Sequence, residues 1–316
     1  MVLKVSPSPS RRPSFPHSGG PTDVTRERHP TRDDGLLERL EAKALWVRQR
    51  VLGMACRAGG GHIASSFSCV EILVSLYYGG CFRFDTTTPE APGRDRFILS
   101  KAQAALALYP ILADLGFFPI DELATFCRNG SRLGGHAESS VPGVDVFSGS
   151  LGHGLSLGCG IALGGRLAGA PFQVFVLLGD GECHEGSVWE SALFAGHHRL
   201  SGLIAIIDGN ELSASDRLEN YLAVEPLRQK WLAFGWEVLT VDGHSIPALL
   251  AAFRHASGGT RDGPLAIIAR TVKGKGVRFM EGRPDWHYRI PVGDELTIAR
   301  RELRLEEQGG PAEDAP

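Results

Sequence analysis

No stretch of this sequence reaches the roughly 18 consecutive apolar residues that a membrane helix requires, so no spanning segment is expected. Its six cysteines (Cys56, Cys69, Cys81, Cys127, Cys159, Cys183) contain no CxxC pair, which removes the common zinc and redox motifs. They read as buried thiols of a reducing, cytoplasmic compartment. No polybasic tract recurs. Acids and bases are mixed and the formal net charge is only −3, which argues against nucleic acid as a partner. No acid precedes Asp23, and that Pro/Ser/Arg-rich stretch lacks the apolar core of a secretory signal. Residues 1–33 are therefore expected to form a disordered tail.

What is present is an ordinary globular composition, 43% hydrophobic and 22% charged over 316 residues, enough for a sizeable core. Leu37, Leu40, Ala44, Val47, Val51 and Met54 recur at helical spacing, and the run Gly59-Gly60-Gly61-His62 ends that helix in a loop. Ser68 and Glu71 have the spacing of a capping box opening a second helix. Arg96–Leu99 reads as a short strand and Ala102–Leu115 as a helix. Beyond a glycine-rich stretch the pattern alternates: FQVFVLLGD, LIAIIDGN, WEVLTVDG and PLAIIART read as strands, with helical segments between them. Strands apolar on both faces and separated by helices predict an α/β fold, a parallel sheet flanked by helices on both faces. Ligands of such sheets bind beyond the carboxyl ends of the strands.

Two strands end on chemically useful residues. Gly179-Asp180-Gly181 follows FVLL and Asp208-Gly209-Asn210 follows LIAII, so an acid and an amide should meet at one sheet edge. The glycines let backbone approach an anion closely. A magnesium ion takes one or two carboxylate or amide oxygens, completed by phosphate and water. Asp180, the Asn210 side chain and a carbonyl shortly after would supply that share.

Twenty-eight residues lie between Gly181 and Asn210. That interval, within GDGECHEGSVWESALFAGHHRLSGLIAIIDGN, resembles the thiamine diphosphate site of transketolases. The resemblance runs from about Ala55 to His287, through GGGHIASSFS, RDRFILSK, GGHAESSVPGVDVFSGSLGHGLS, VDGH and ARTVKGKGV with WHY. It implies the diphosphate-binding domain of the thiamine diphosphate fold, here over 34–308, before a polar tail at 309–316. It implies thiamine diphosphate with Mg2+ (or Ca2+ or Mn2+), held by Asp180, Asn210 and the Leu212 carbonyl. Gly179, Gly181 and Glu182 would belong to the same cofactor site. Gly149-Ser150-Leu151 would be the turn beneath the aminopyrimidine ring. His62, His136 and His287 would contact substrate, His287 lying also near the diphosphate. Histidine suits proton traffic because its ordinary pKa is about 6.5. Glu185 and Glu190 would stand near a subunit interface. The glycines from Gly152 to Gly160 are read as helix-packing positions.

This sequence departs from the family at two places in the site. Ala102 and Gln103 replace a Gly-His pair that touches the cofactor; Gln103 can still donate a hydrogen bond to a cofactor phosphate but cannot relay a proton. Tyr288 follows His287 where the family has glycine. Full-length members also continue into a second α/β domain carrying the glutamate that activates the cofactor. The resemblance therefore implies a split enzyme: an N-terminal subunit working with a C-terminal one that bears the pyrimidine-binding domain, as an α2β2 assembly. The implied reaction moves a two-carbon ketol unit from a ketose phosphate to an aldehyde. The alternatives are a subunit that decarboxylates or transfers acyl groups from a 2-oxo acid, and a non-catalytic cofactor-binding scaffold.

Overall fold

The computed structural model describes residues 32–305 apart from 90, 171, 259 and 260. The expected tails, 1–33 and 309–316, lie outside these residues except for Arg32 and Asp33, where the first helix begins. The strands are β1 (Arg96–Leu99), β2 (Val174–Gly179), β3 (Leu203–Gly209), β4 (Glu237–Asp242) and β5 (Leu265–Arg270). The helices are α1 (Arg32–Ala58), α2 (Ile63–Phe67), α3 (Val70–Tyr78), α4 (Ala105–Asp114), α5 (Gly154–Leu167), α6 (Gly186–His197), α7 (Leu218–Tyr221), α8 (Leu227–Ala233), α9 (Ile246–Ser257) and α10 (Asp294–Glu302).

All strand pairs are parallel, in the order β1-β2-β3-β5-β4. Side chains along a strand alternate between faces, and here both faces are buried. Phe175, Leu177, Ile204, Ile206, Leu265 and Ile267 pack into a core with α1, α3, α4 and α9. Val174, Val176, Leu178, Ala205, Ile207 and Ile268 enter a second core with α5, α6 and α8. This is the sheet covered on both sides that the apolar strands predict. In register, Gly179 pairs with Asp208 and Asp208 with Ala269. The ends of β2, β3 and β5 are therefore level, and the loops leaving them share one edge.

Several local expectations are corrected. Ser68 and Glu71 form no capping box, because stronger partners take both side chains. Ser68 donates to the Asp208 carboxylate at 2.5 Å, while Glu71 binds Arg48 at 2.7 and 2.8 Å; α3 has no side-chain cap. No disulfide joins the cysteines, but only Cys69, Cys159 and Cys183 are buried and Cys127 is exposed. The glycines of α5 divide. A side chain at Gly154 would strike Ser100 and one at Gly158 would strike Val176, so these two are packing positions. Gly160 faces open space and does not pack within the chain. Among the described residues no helix is long and apolar enough to cross a membrane.

Candidate active site

The level strand ends enclose a cavity of about 310 Å³. Its wall includes His62, Gln103, His136, Gly149, Leu151, Gly179, Asp180, Gly181, Glu182, Asn210, Leu212 and His287. Residues nominated from segments up to 225 positions apart (His62 and His287) thus converge on one hollow. Ser150 does not line it; its exposed hydroxyl lies 3.2 Å from His153 Nδ1. Glu185 and Glu190 are exposed, away from that wall.

One corner is built around Asp180, whose residue is only 3% exposed. Its carboxylate accepts from Gly181 N at 2.8 Å and from Glu211 N at 2.5 Å. That second bond draws the β3 loop inward, so Asn210 and Leu212, which flank Glu211, line the same cavity. Burial, and then the charge of Asp208, push the Asp180 carboxyl up to about 7. The corner is therefore short of positive charge at Asp180, which a divalent cation would supply. Among the described residues no three His, Cys, Asp or Glu side chains form a metal cluster. The donor set is instead a carboxylate, an amide and a carbonyl, the oxygen chemistry that magnesium and calcium accept when phosphate completes the shell.

Beneath the corner lies a charge network that sequence reasoning missed. Lys101, 2% exposed, donates to Asp208 and to Ser65 O at 3.0 Å. Asp208, fully buried, also accepts from Ser68 and Thr271. Burial alone would raise the Asp208 carboxyl, but Lys101 and the hydroxyls outweigh it and hold it below the usual range. Asp208 likewise outweighs burial to keep Lys101 raised, so the pair is ionised. A signal was available: a lone acid inside the apolar run LIAIID and a lone lysine after RFILS must each find a partner when buried.

Glu182 has a structural grip rather than a free carboxylate. It accepts from Gly152 N at 2.9 Å, from Gly179 N at 3.1 Å and from Ser100, tying the ends of β1 and β2 to the Gly149–Leu151 turn. Its carboxyl is raised by burial. Across the cavity, the His62 ring lies 5.0 Å from His287 and 5.8 Å from His136, centroid to centroid. Burial, then His287 and His136, depress His62 to about 4. Burial and Lys273 depress His287 to about 4. The expectation that both exchange protons near neutrality is corrected: at pH 7 they are neutral hydrogen-bonding groups. Lys273 was also missed. It is buried and donates to Ser213 O at 2.6 Å.

The comparisons with known proteins bear on this arrangement directly. Residues 42–309 match the family described as transketolase, thiamine diphosphate binding domain. The chain belongs to the transketolase family. It is 38% identical over 267 residues to one subunit of the apulose-4-phosphate transketolase of Phocaeicola vulgatus, covering 84% of this chain and 94% of that one. It is 38% identical over 245 residues to the 6-deoxy-6-sulfo-D-fructose transketolase subunit SqwG of a Clostridium species, covering 77% and 88%. The solved transketolase of Campylobacter jejuni superposes with a TM-score of 0.79 at 27% identity, over 84% of this chain but 43% of that one. The chain thus spans less than half of that full-length transketolase, but nearly all of the separate Phocaeicola vulgatus subunit. As a transketolase-family component it is a transferase with the family's thiamine diphosphate-binding fold.

Proposed function

We propose that this chain is the diphosphate-binding subunit of a cytoplasmic, two-component transketolase, transferring a two-carbon ketol unit from a ketose phosphate to an aldehyde. The observation that carries this reading is the buried Asp180 carboxylate, short of positive charge where the β2 and β3 loops meet. Asp180, Asn210 and the Leu212 carbonyl would hold Mg2+ or a like cation, and the cation would hold the diphosphate of thiamine diphosphate. Bound there, the cofactor supplies the carbanion chemistry that breaks and forms the C–C bond.

The chain's own groups then bind and orient. Gly179 and Gly181 allow backbone to lie against the diphosphate, and Gln103 offers it an amide N–H. His62, His136 and His287 face the remaining space. In its neutral form His62 offers one donor and one acceptor to substrate hydroxyls, whereas His287, whose Nδ1 is taken up by Lys273, offers its Nε2–H. The partner would be a C-terminal subunit with a pyrimidine-binding domain, in an α2β2 assembly. Exposed apolar side chains support a partner: Leu151, in the Gly149–Leu151 turn, is 40% exposed, Phe147 just before that turn 54%, and Leu193 on α6 58%. Six cysteines without a disulfide fit a reducing compartment.

Calorimetry tests the cofactor site. Thiamine diphosphate with Mg2+ should give a binding heat with the wild-type chain that disappears in Asp180→Ala. An unchanged heat in the variant would remove the basis for this reading. Adding the partner should then yield ketol transfer from a ketose phosphate, and no turnover of pyruvate.

A further inference from the structure

Tyr288 stands beside the cavity in an unusual state for a large aromatic residue: 61% exposed, yet edge-on to the central histidine. Its ring centroid lies 4.7 Å from that of His62, at 71°. The backbone that carries it is held on both sides. Before it, Trp286 is 2% exposed and packs on Phe279 at 5.0 Å, and the following His287 is bonded to Lys273. After it, the Arg289 guanidinium stacks on Trp286 at 4.1 Å. The backbone that sets the Tyr288 ring beside His62 is thus anchored on both sides.

The far end of the ring lies across Gly60. A side chain starting at Gly60 would meet Tyr288 Oη at 2.9 Å, Cζ at 3.3 Å and Cε1 at 3.4 Å, and no other residue is among its three nearest neighbours. Gly60 is outside the left-handed region, unlike Gly59 and Gly61, so its backbone does not demand glycine. What the missing side chain provides at Gly60 is room for the phenol. Two segments 228 positions apart thus shape one feature at the His62 side of the site.

We propose that Tyr288 is a specificity-determining residue, a wall that limits how far a substrate can extend past His62. The inference rests on the proposed function, because it concerns the substrate of that same site. His62 and Asp180 both line the hollow; Tyr288 is not one of its lining residues but lies against the His62 ring. Since His62 is read as a substrate contact, the ring bounds the space beside that histidine, into which a longer donor would extend. Short donors, such as three-carbon hydroxy-oxo acids, fit inside the wall, and ketose phosphates of six carbons press against it. Steric discrimination of this kind is worth roughly tenfold to a few hundredfold in kcat/KM.

The test uses the enzyme reconstituted with its partner subunit, thiamine diphosphate and Mg2+. Hydroxypyruvate serves as the short donor and fructose 6-phosphate as the long one. In Tyr288→Gly the ratio of kcat/KM for the long donor to that for the short one should rise at least about tenfold. Tyr288→Phe keeps the ring and should keep the wild-type ratio. An unchanged ratio in Tyr288→Gly overturns the proposal, and so does a Tyr288→Phe enzyme that behaves like the glycine variant, since the hydroxyl and not the bulk would then be acting. A wild-type complex inactive on both donors would instead count against the proposed function, and would take this inference with it.

Discussion

Lys273 Nζ lies 3.1 Å from Nδ1 of His287 and 2.6 Å from the carbonyl of Ser213. An ammonium has only donors to offer, so Nδ1 must be the accepting nitrogen and the proton of neutral His287 sits on Nε2. One buried lysine thus sets the tautomer of a cavity histidine and ties it to the loop after β3.

Replacing Lys273 with Met should release both constraints. Burial is the first cause of the depressed His287 titration and stays in place, whereas the charge of Lys273 is lost. The His287 ring proton signal in an NMR titration should therefore move from about 4 toward, without reaching, 6.5. Ketol transfer in the reconstituted enzyme should fall at least about tenfold, because the hydrogen bond His287 offers the substrate is no longer held in place. A variant whose His287 still titrates at about 4 would show that burial alone sets the value.

A second network holds the loop that bears Lys273. Arg48 binds Glu71 with both terminal nitrogens and donates from Nε to Lys275 O at 2.8 Å. Glu71 also lies 2.9 Å from His244 Nδ1, and His244 Nε2 accepts from Val272 N at 2.8 Å. Burial would raise the Glu71 carboxyl, but Arg48 and His244 outweigh it and lower it to about 2, from 4.5. Because the folded value is the lower one, this stabilisation is complete above pH 4.5 and fades as the pH falls through 2. It amounts to about 3 kcal/mol by linkage. Glu71→Gln should lower the urea midpoint at pH 7 and flatten its dependence between pH 5 and pH 2. Parallel curves for the two proteins over that range would contradict this.

The sheet was legible because each strand is apolar on both faces, as in LIAII and LAIIA, and only a doubly covered parallel sheet hides both. The site followed from the sheet: once β2 and β3 are parallel neighbours, Asp180 and Asn210 must leave by the same edge. The order β3-β5-β4 was not legible, since nothing local says that Leu265–Arg270 inserts between two earlier neighbours. Nor was the role of Ser68. Its spacing to Glu71 fits a cap, but its partner, Asp208, lies 140 positions away and binds it more strongly than a backbone N–H would. Long-range charge pairs are the part that spacing conceals.

The Lys101–Asp208 pair gives a sharper stability test. With Asp208 fully buried, Lys101→Met leaves a carboxylate without its cation, which costs about 3–5 kcal/mol. Adding Asp208→Asn removes the stranded charge and should restore part of that loss. Equilibrium urea unfolding of the wild type and the two variants checks the order. A single variant within about 1 kcal/mol of wild type would mean that the carboxyl simply protonates at little expense.

Gln103 lines the same cavity as Asp180 and the three histidines. If its amide faces the diphosphate, the sign of its charge matters more than its size. Gln103→Glu is nearly isosteric but sets a like charge beside a polyanion in a poorly solvated hollow. Thiamine diphosphate with Mg2+ should then bind at least about tenfold more weakly, a difference of about 1.4 kcal/mol. Gln103→His retains a donor and should stay within about threefold of wild type, while adding a titrating group that the pH profile of ketol transfer would register as a new limb. Calorimetry on the isolated chain separates these arms without any need for turnover. Equal affinity in the glutamate variant would place Gln103 on the substrate side, away from the diphosphate.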